Sequence, residues 1–485
     1  MLQLDDKKTK IIATLGPACD SKEGLQSIIE AGVDIIRLNA SHNANPAFIK
    51  EKVQLIRSIS RELVKPICIF VDLQGPKIRI GQFADGKVEL LTGQEFRLTS
   101  QEVPGTDKIA SLSYPGLIQD VKVGDPVYID DGSIRLSVIE KTDTELVCQV
   151  LQGGPLSNYK GVNLPQTKIS SSAFTEKDKT DIHLAVENNL EYVALSFVSV
   201  PDDIHLFRAY LNELGGNKVK IIAKIERQLA IDHIIPIIEA ADAIMVARGD
   251  LGVEIGVEKV PEAQKMIIRE SNRRIKPVIV ATQMLETMIY KKNATRAEVS
   301  DVANAIYDRC DAVMLSGETA VGIDPTNVVQ TMKTICLATD KHMIEIKRRS
   351  FKSYKTYFVD HTVSTSFATA ADQIAEENKA SALMVFTSSG RTPLISCKLN
   401  PMIPIIATTD DEQIYNQMML YRGVRPLLLS KKFTEMVRWS DMIKVALEDV
   451  KRLGILKTDD TIVVTAGIPI GHSGGTNSVR LVKVP

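Results

Sequence analysis

Short apolar runs alternate with amphipathic stretches along much of the 485-residue chain. The runs are rich in β-branched residues and apolar on both faces, which is typical of strands buried in a parallel sheet between helices. Eight runs lie outside one interruption, and this number predicts a (β/α)8 barrel of the TIM type. The predicted strands are residues 10–14, 34–39, 67–72, 192–196, 220–226, 243–248, 278–282 and 312–316.

The interruption, from residue 74 to residue 172, has a different pattern. Apolar and polar residues alternate with a period of two between Gly and Asp turns, which indicates antiparallel strands. We therefore expect an inserted all-β domain in the form of a small β-barrel. Because the insertion follows the C-terminal end of a predicted barrel strand, it would overhang the barrel mouth as a lid.

The pattern changes again after about residue 345. A helical stretch over residues 362–377 precedes strand-like runs at 382–386, 404–407, 424–429 and 460–465. This order predicts a second α/β domain with its own small sheet. The predicted organisation is a barrel of residues 1–73 and 173–345, a lid of residues 74–172, and an α/β domain of residues 346–485.

Composition and charge narrow the function classes. The chain has 59 Lys and Arg against 60 Asp and Glu, so it has no global attraction for nucleic acid or for an anionic membrane. It has no run of 18 apolar residues, and its polar N-terminus does not resemble a secretory signal. The six cysteines lack zinc-type spacing. We expect buried, reduced thiols in a cytoplasmic protein.

Polar residues stand at the end of every predicted barrel strand. In a TIM barrel these ends form the active-site mouth, so the side chains should converge there. A single Ser or Thr is explained by a strand that meets water, whereas Lys, Glu, Asp and Arg together favour a functional site. The rim residues are Thr14, Arg37, Asn39, Asp72, Ser196, Lys224, Glu226, Arg248, Asp250, Thr282, Gln283, Ser316 and Glu318.

Two neighbouring motifs indicate a site for a divalent metal. Lys224 and Glu226 are two residues apart and therefore share one face of a strand. Asp250 lies between Gly249 and Gly252, and the glycines allow backbone N–H groups to approach an anion. Two carboxylates completed by substrate oxygens and water form a magnesium-type site. A plain surface ion pair also explains the Lys224 and Glu226 motif when it is taken alone.

The chain resembles the pyruvate kinases in the content and order of many segments, from its start to about residue 325, and its C-terminal domain is compatible with that family. The matching segments are residues 9–17, 37–42, 72–79, 130–132, 161–165, 175–178, 224–226, 245–254, 281–286, 295–304 and 314–320. The resemblance implies phosphoryl transfer from phosphoenolpyruvate to ADP, which gives ATP and pyruvate.

The resemblance also implies roles for the rim residues. Glu226 and Asp250 would hold Mg²⁺ or Mn²⁺, and Lys224 would stabilise charge on the phosphoryl group and on the enolate. The backbone N–H groups of Gly249 and Asp250, with the Thr282 hydroxyl, would hold the substrate carboxylate. The residues implied to face phosphate groups are Arg37 for the transferred group, and Asn39, His42 and Arg79 for the nucleotide.

Pyruvate kinases also carry a monovalent cation site, and the matching positions are Asn39, Ser41, Asp72 and the carbonyl of Leu73. Lys77 stands where many members carry Glu. A lysine ammonium supplies one positive charge and hydrogen-bond donors, so we expect it to replace the ion and potassium not to be essential. The alternative is that Lys77 is solvated on a loop.

Several positions depart from the usual pattern of the family. Ala40 and Asn43 replace Phe and Gly, which concerns packing and the turn. Ser199 and Val200 replace basic residues that some members use near the nucleotide. These two changes concern the affinity for ADP.

The C-terminal domain contains hydroxyl residues and a glycine between a predicted strand and a helix. Such a loop is a phosphate site at a helix N-terminus or an ordinary capped turn. In the family this region resembles an allosteric pocket, so a phosphorylated effector, a regulatory domain and a homotetramer are implied. The residues of the loop are Thr387, Ser388, Ser389, Gly390, Arg391 and Thr392, and a glycine-rich stretch at residues 467–475 would close over the effector.

Two other functions use the same residues. A magnesium-enolate enzyme such as an aldolase would share the charged rim, but it needs neither a lid nor Arg79 facing a nucleotide. A metabolite sensor with an inactive barrel would keep effector binding without turnover, and the retention of Lys224, Glu226, Asp250 and Thr282 argues against it. An assay of pyruvate formation with ADP separates these possibilities from a kinase.

Overall fold

The computed structural model describes residues 7–41, 46–114, 116–165, 167, 174–349, 358–436, 438–468 and 475–485. Eight parallel strands close into a barrel, which confirms the predicted TIM fold. An all-β insertion and a C-terminal α/β domain accompany the barrel. No helix within the described ranges is both long and apolar enough to cross a membrane.

The first part of the barrel contains three strands and two helices. The Ser21 hydroxyl accepts the Gly24 N–H and so caps the first helix, and Gly32 ends that helix with a φ of 136°, which favours glycine. The elements are β1 (Lys10–Thr14), α1 (Lys22–Ala31), β2 (Ile35–Asn39), α2 (Pro46–Glu62) and β3 (Cys68–Asp72).

The lid follows β3, as the alternating pattern predicts. Its elements are β4 (Lys87–Leu90), β5 (Glu95–Thr99), β6 (Ile109–Ser111), α3 (Leu117–Asp120), β7 (Pro126–Ile129), β8 (Ile134–Lys141), β9 (Glu145–Gln152), β10 (Gly154–Ser157) and β11 (Val162–Asn163). They form a six-stranded sheet in the order β11-β7-β8-β9-β5-β6 and a two-stranded sheet of β10 and β4. Single bridges, such as Ile80 with Leu112, extend the pairing beyond these named strands.

The remaining five strands complete the barrel in the order β1-β16-β15-β14-β13-β12-β3-β2. The long helix α12 continues past the predicted domain boundary at residue 345. The elements are α4 (Glu176–Glu187), β12 (Tyr192–Leu195), α5 (Pro201–Glu213), β13 (Lys220–Ile225), α6 (Gln228–Asp232), α7 (Ile234–Ala240), β14 (Ala243–Ala247), α8 (Arg248–Ile255), α9 (Val260–Arg273), β15 (Val278–Ala281), α10 (Arg296–Tyr307), β16 (Ala312–Leu315), α11 (Gly317–Ala320) and α12 (Pro325–Arg349).

The C-terminal domain has a five-stranded sheet in the order β19-β18-β17-β20-β21. Its last strand pairs antiparallel with β20 and was not predicted, because its mostly polar sequence lacks the apolar run of the other four. The elements are α13 (Val363–Glu377), β17 (Ala382–Phe386), α14 (Arg391–Lys398), β18 (Ile405–Thr409), α15 (Glu412–Gln417), β19 (Val424–Leu428), α16 (Trp439–Arg452), β20 (Thr461–Gly467) and β21 (Thr476–Lys483).

The barrel interior and the C-terminal domain share one hydrophobic core. Inward-facing side chains such as Phe70 and Met245 belong to the same buried cluster as Ala371 and Met418 of the C-terminal domain. The Tyr192 hydroxyl links the two parts by donating to the Gln417 carbonyl at 3.2 Å. The lid, in contrast, has a separate core that extends from Ile78 to Leu164.

Buried charges also join the barrel to the C-terminal domain. The Lys398 ammonium at the end of α14 pairs with Asp311, which immediately precedes β16, and donates to Asn272 Oδ1 at 2.8 Å. The Arg422 guanidinium pairs with Asp340 of α12 at 2.5 Å. Burial of such charges is tolerated only when both partners are present and hydrogen-bonded.

We expect Lys398→Met to lower the free energy of unfolding by about 3 kcal/mol, because it leaves the Asp311 carboxylate buried without its cation. Urea unfolding followed by circular dichroism measures the change. The control is Lys22→Met, which removes an exposed pair with Glu62 and should cost less than about 1 kcal/mol. Equal losses in the two variants would contradict a stabilising role for the buried pair.

Candidate active site

The Lys224 ammonium lies at the barrel mouth, near the C-terminal end of β13. It is at 2.7 Å from Ser196 Oγ, 2.9 Å from Glu226 Oε1 and 3.2 Å from Asp72 Oδ1. Lys224 and Glu226 are brought together because alternate residues at the end of β13 face the same side. Only 12% of the Lys224 side chain is exposed, so its charge acts in a medium of low dielectric constant.

The surrounding carboxylates keep Lys224 ionised. Burial would lower the pKa of this lysine, but Asp72 and Glu226 outweigh burial, and its pKa lies well above the ordinary value. The ammonium is therefore a fixed positive charge at neutral pH. A fixed charge of this kind stabilises an anion that forms beside it, whereas it cannot act as a general base.

Asp72 at the end of β3 holds two cations with one buried carboxylate. Arg37 Nε donates to Asp72 Oδ2 at 2.7 Å, and Lys224 contacts the other oxygen. Burial favours the neutral acid, but Lys224 and Arg37 together lower the pKa of Asp72 below its usual value. Arg37 also donates to Thr14 Oγ1 at 3.1 Å. The two cations of the mouth are thereby held at defined positions.

Glu226 is almost fully buried, and both of its oxygens have partners. Oε1 pairs with Lys224, and Oε2 accepts the Phe197 N–H at 2.7 Å. Burial raises the pKa of Glu226 despite the lowering effect of Lys224, and the Asp250 carboxylate adds to the increase. Two carboxylates that repel each other in a buried mouth favour a cation between them.

The donor set fits a divalent cation that takes oxygen ligands. The described residues contain no group of three His, Cys, Asp or Glu side chains that could hold a metal. Glu226 and Asp250 provide two carboxylates, and Mg²⁺ commonly takes one or two from the protein and completes its shell with water and substrate oxygens. The residues therefore fit magnesium or manganese as an ion bound together with a substrate.

Thr282 adopts a strained backbone conformation at the end of β15. Its φ is 70° and that of Gln283 is 53°, a region that β-branched residues such as Thr rarely adopt. The Thr282 hydroxyl accepts the Gly249 N–H at 2.9 Å and lies 2.6 Å from the Ala281 carbonyl oxygen. The predicted carboxylate-binding groups are thus brought together at the start of α8.

The rim residue Arg248 contacts the turn that contains Thr282. Its guanidinium donates to the carbonyls of Thr282 at 2.7 Å and Gln283 at 3.3 Å, and it pairs with Asp301 at 2.7 Å. These contacts hold the strained turn. Its position directly after β14 identifies Arg248 as a rim residue from the sequence alone. Its carbonyl partners could not be predicted, because every residue has a backbone carbonyl.

The predicted monovalent-cation residues lie at the adjoining ends of β2 and β3. Asn39 Oδ1 accepts the Ser41 N–H at 3.2 Å, and the Leu73 carbonyl accepts from Ser196 Oγ at 2.7 Å. Asn39 pairs in register with Asp72.

Lys77 lies on the lid side, where its Cε would be 3.1 Å from a Cβ added at Gly161.

The predicted nucleotide residues are in different parts of the chain. Arg79 is in the lid, where its guanidinium donates to the Tyr159 carbonyl at 2.9 Å. Asn39 is at the barrel mouth, and His42 lies outside the described residues.

The predicted effector loop joins β17 to α14. The Thr387 hydroxyl accepts the N–H groups of Ser389 and Gly390, at 3.3 and 2.9 Å, and Thr392 Oγ1 contacts Thr476 Oγ1 at 2.5 Å. Thr387 and Thr392 are therefore structural members of the loop.

Two residues of this loop, Ser388 and Arg391, are exposed, and Ser389 is half-buried. Most of the glycine-rich stretch, residues 469–474, lies outside the described residues.

The cysteines agree with the sequence-based expectation. All six are buried and none forms a disulfide: Cys19, Cys68, Cys148, Cys310, Cys336 and Cys397. Burial raises the pKa of Cys19 to about 11, which keeps its thiol protonated at neutral pH.

The fold and the mouth together define a TIM-barrel enzyme with a charged site beside an inserted lid. The chain matches the family "Pyruvate kinase, barrel domain" over residues 6–329 and "Pyruvate kinase, alpha/beta domain" over residues 365–482. The chain therefore belongs to the pyruvate kinase family, and it is a phosphotransferase. Membership of this family favours a kinase over the aldolase and sensor alternatives.

Individual relatives agree with this assignment. Pyruvate kinases of Geobacillus stearothermophilus and of Staphylococcus aureus strain USA300 are each 39% identical over 477 residues, which are 98% of this chain and 80% of theirs. The crystal structure of a pyruvate kinase from Cryptosporidium parvum matches with a TM-score of 0.90 and 33% identity, and the match covers 99% of this chain and 97% of that one.

Glu254 on α8 is a further buried carboxyl near this site, and it generates a prediction about pH. Burial raises its pKa to about 7, while Arg227 and the Gln228 N–H oppose the shift. A raised pKa means that the folded state holds the proton more tightly than the unfolded state. The stabilisation is complete below the ordinary carboxyl pKa and is lost as the pH rises to about 7.

We expect Glu254→Gln to become more stable relative to wild type as the pH rises from about 5 to 8, by about 2 kcal/mol, because Gln carries no charge to bury. Urea unfolding at both pH values in metal-free buffer measures the difference. Glu89→Gln is the control, since Glu89 is exposed on β4, and it should behave as wild type at both values. A constant offset between Glu254→Gln and wild type would contradict the prediction.

Proposed function

We propose that this chain is a pyruvate kinase that transfers the phosphoryl group of phosphoenolpyruvate to ADP and gives ATP and pyruvate. The observation that carries the proposal is the Lys224 ammonium, buried between Asp72 and Glu226 at the mouth of a barrel of this family. The reaction moves a highly charged group and leaves an enolate, and both need a fixed positive charge. The test is pyruvate formation that depends on ADP.

The proposed metal ligands are Glu226 and Asp250, with substrate oxygens and water completing the shell of Mg²⁺ or Mn²⁺. When bound, the ion supplies charge neutralisation and orients the substrate oxygens. Glu226 is held in place by Lys224 and by the Phe197 N–H. The carboxylate therefore faces the mouth before any ion binds.

The proposed role of Lys224 is to stabilise negative charge on the transferred group and on the enolate. Arg37 would contact the phosphoryl group from the other side of Asp72, since both cations share that carboxylate. Both cations are already desolvated and hydrogen-bonded, so little reorganisation accompanies the reaction. This is electrostatic preorganisation in the usual sense.

The proposed carboxylate site of the substrate consists of the Gly249 and Asp250 N–H groups and the Thr282 hydroxyl. The Gly249 N–H donates to Thr282 Oγ1, so a substrate carboxylate would exchange this contact for its own. Arg248 holds the Thr282 turn from behind. The first turn of α8 carries both Gly249 and Asp250 and therefore links the carboxylate site to the metal site.

The nucleotide is proposed to bind between the barrel mouth and the lid. Arg79 of the lid and Asn39 of the barrel lie on the two sides of this junction, and His42 follows Asn39 in the sequence. A lid that carries Arg79 over the mouth would enclose the phosphates and exclude water.

The assembly, regulation and location of the protein are also proposals. Exposed apolar side chains, which include Val257, Tyr290 and Ile323, support a homotetramer. The exposed residues of the loop from Thr387 to Thr392 support a site for a phosphorylated effector, which would act by favouring one of two arrangements of the enzyme. Free buried thiols support a cytoplasmic location.

We expect Lys224→Met to lower kcat by at least about 100-fold, because one preorganised charge-stabilising group is worth that much or more. Steady-state kinetics with ADP and phosphoenolpyruvate measure the effect. The loss should fall on kcat, since the charge acts mainly in the transition state. Near-normal turnover by the folded variant would remove Lys224 from the mechanism.

Glu226→Gln is the matched variant for this experiment. It removes an anionic oxygen from the proposed metal site, so the magnesium concentration needed for half-maximal rate should rise by about tenfold or more. Lys224→Met should bind Mn²⁺ as the wild type does, measured by electron paramagnetic resonance without substrate. An unchanged magnesium requirement in Glu226→Gln and in Asp250→Asn would place the metal elsewhere.

We expect turnover without potassium or ammonium to stay within a few-fold of its value at saturating potassium, because the Lys77 ammonium supplies the same single charge. Lys77→Glu should create a potassium requirement. Titration of potassium chloride into sodium-free buffer measures both, and Lys87→Glu on an exposed position of β4 is the charge-matched control. A wild-type enzyme that is nearly silent without potassium would refute the role of Lys77.

We expect the double variant Ser388→Ala with Arg391→Ala to lose activation by phosphorylated sugars or nucleotides, because it removes a hydroxyl and a cation from the exposed face of the effector loop. Basal turnover should remain, since both residues lie in the C-terminal domain. Thr387→Ala differs, because it removes the acceptor of two backbone N–H groups and should reduce thermal stability. Unchanged activation in the double variant would place the effector elsewhere.

A further inference from the structure

Two linkers connect the lid to the barrel, and one buried carboxylate joins them. Asp178 in the first turn of α4 accepts the Gly75 N–H of the outgoing linker at 3.2 Å. Its other oxygen accepts from the N–H and the hydroxyl of Thr175 on the returning side, both at 2.7 Å. The capping box of α4 therefore also holds the two ends of the insertion together.

Arg227 makes a second and different attachment. Its guanidinium donates to the carbonyls of Thr167 at 2.8 Å and Leu164 at 3.4 Å, both on the returning linker, and to Ser199 Oγ at 3.1 Å. Arg227 is 6% exposed, so its N–H groups depend on these acceptors. It immediately follows Glu226 in the sequence.

The chemistry of this attachment favours arginine over lysine. A planar guanidinium donates to several acceptors in fixed directions, whereas a lysine ammonium is a point charge on a flexible stem. A buried cation whose acceptors moved away would bear a large desolvation cost. The position of the returning linker is therefore coupled to the end of β13, the strand end that carries Lys224 and Glu226.

A third contact shows where the attached lid lies. The turn between β7 and β8 approaches α8, since a Cβ added at Gly132 would lie 3.6 Å from Val253 Cγ1. Helix α8 carries Asp250 in its first turn. Lys160, which lies between β10 and β11, pairs with Asp130 of that turn at 2.9 Å. The segment from Lys160 to Leu164 thus joins the turn that approaches α8 to the linker that Arg227 contacts.

We propose that Arg227 is a positioning residue that fixes the returning linker to the Glu226 end of β13 and so sets the position of the lid over the mouth. The inference rests on the proposed function for its kinetic consequence, but not for its structural one. Loss of the guanidinium should speed amide exchange at the lid attachment and raise KM for ADP. The affinity for the metal ion should stay nearly unchanged.

The experiment compares Arg227→Met, Arg227→Lys and Arg57→Met in the full chain. Arg57 is the matched control, because it is a largely buried arginine that pairs with Glu191 at 2.6 Å and donates to the Ile67 carbonyl. Its contacts lie at the N-terminal ends of the barrel strands, away from the lid. Both Met variants lose a buried cation, so general destabilisation should be similar.

Amide hydrogen exchange followed by mass spectrometry is the primary measurement, without substrate. In Arg227→Met, peptides covering residues 158–165 should exchange at least about tenfold faster, since hydrogen bonds to a charged group contribute about 1.5–3 kcal/mol. Peptides of β14 and β15 should be unchanged, and Arg227→Lys should be intermediate. Unchanged exchange in residues 158–165, or an equal increase in Arg57→Met, would overturn the proposal.

Kinetics and metal binding complete the test. In Arg227→Met, KM for ADP should rise by about tenfold, in line with the same loss of lid attachment, while Mn²⁺ affinity without nucleotide should change by less than about threefold. Equal increases in KM for ADP and for phosphoenolpyruvate would overturn the link between Arg227 and the lid. Absence of any ADP-dependent turnover in the wild type would instead refute the proposed function, and the exchange result would still decide the role of Arg227.

Discussion

The site depends on one buried carboxylate, Asp72, and on its ability to remain ionised. Its two oxygens contact Arg37 and Lys224, which come from β2 and β13 on different sides of β3. Without Asp72 the two cations would repel each other in a mouth with little water, and the buried Glu226 would be left as the nearest counter-charge of Lys224. The stagger of the closed barrel brings these strand ends together, so the barrel itself determines the electrostatics of the site.

A strained backbone turn at Thr282 is held by the neighbouring cation Arg248. Thr282 is held at a positive φ that costs about 1–3 kcal/mol, and the Arg248 guanidinium holds the carbonyls of that turn. Arg248 is in turn neutralised by Asp301 of α10. Helices outside the barrel thus supply the charges that keep the strand ends in conformations they would not adopt alone.

The sequence predicts the barrel well because each strand is buried on both faces and therefore forms a continuous apolar run. The structure contains all eight strands, with ends that differ by at most one residue. The sequence singles out Lys224, Glu226 and Asp72 because charged residues at the ends of apolar runs are conspicuous. Strand β21 could not, since an edge strand needs few apolar residues.

The roles of Ser196, Arg227 and Arg248 were also missed, and the reason is physical. Each of them contacts backbone carbonyls or a hydroxyl, and backbone acceptors are present at every residue. No residue type in the sequence marks such a partner. In the lid, alternation predicts which face of each strand is buried, while the order of the strands in its two sheets depends on pairing between distant segments.

The separate core of the lid has a consequence for how the chain folds. The lid core is complete once residue 164 has been made, whereas the barrel cannot close before β16, which ends at Leu315. A lid that folds first during synthesis brings Gly75 close to Thr175, where Asp178 joins them. The folded lid then replaces a long flexible loop between β3 and β12, so the entropy cost of pairing these two strands is lower. A lid that forms in this order would therefore favour closure of the barrel that it interrupts in the sequence.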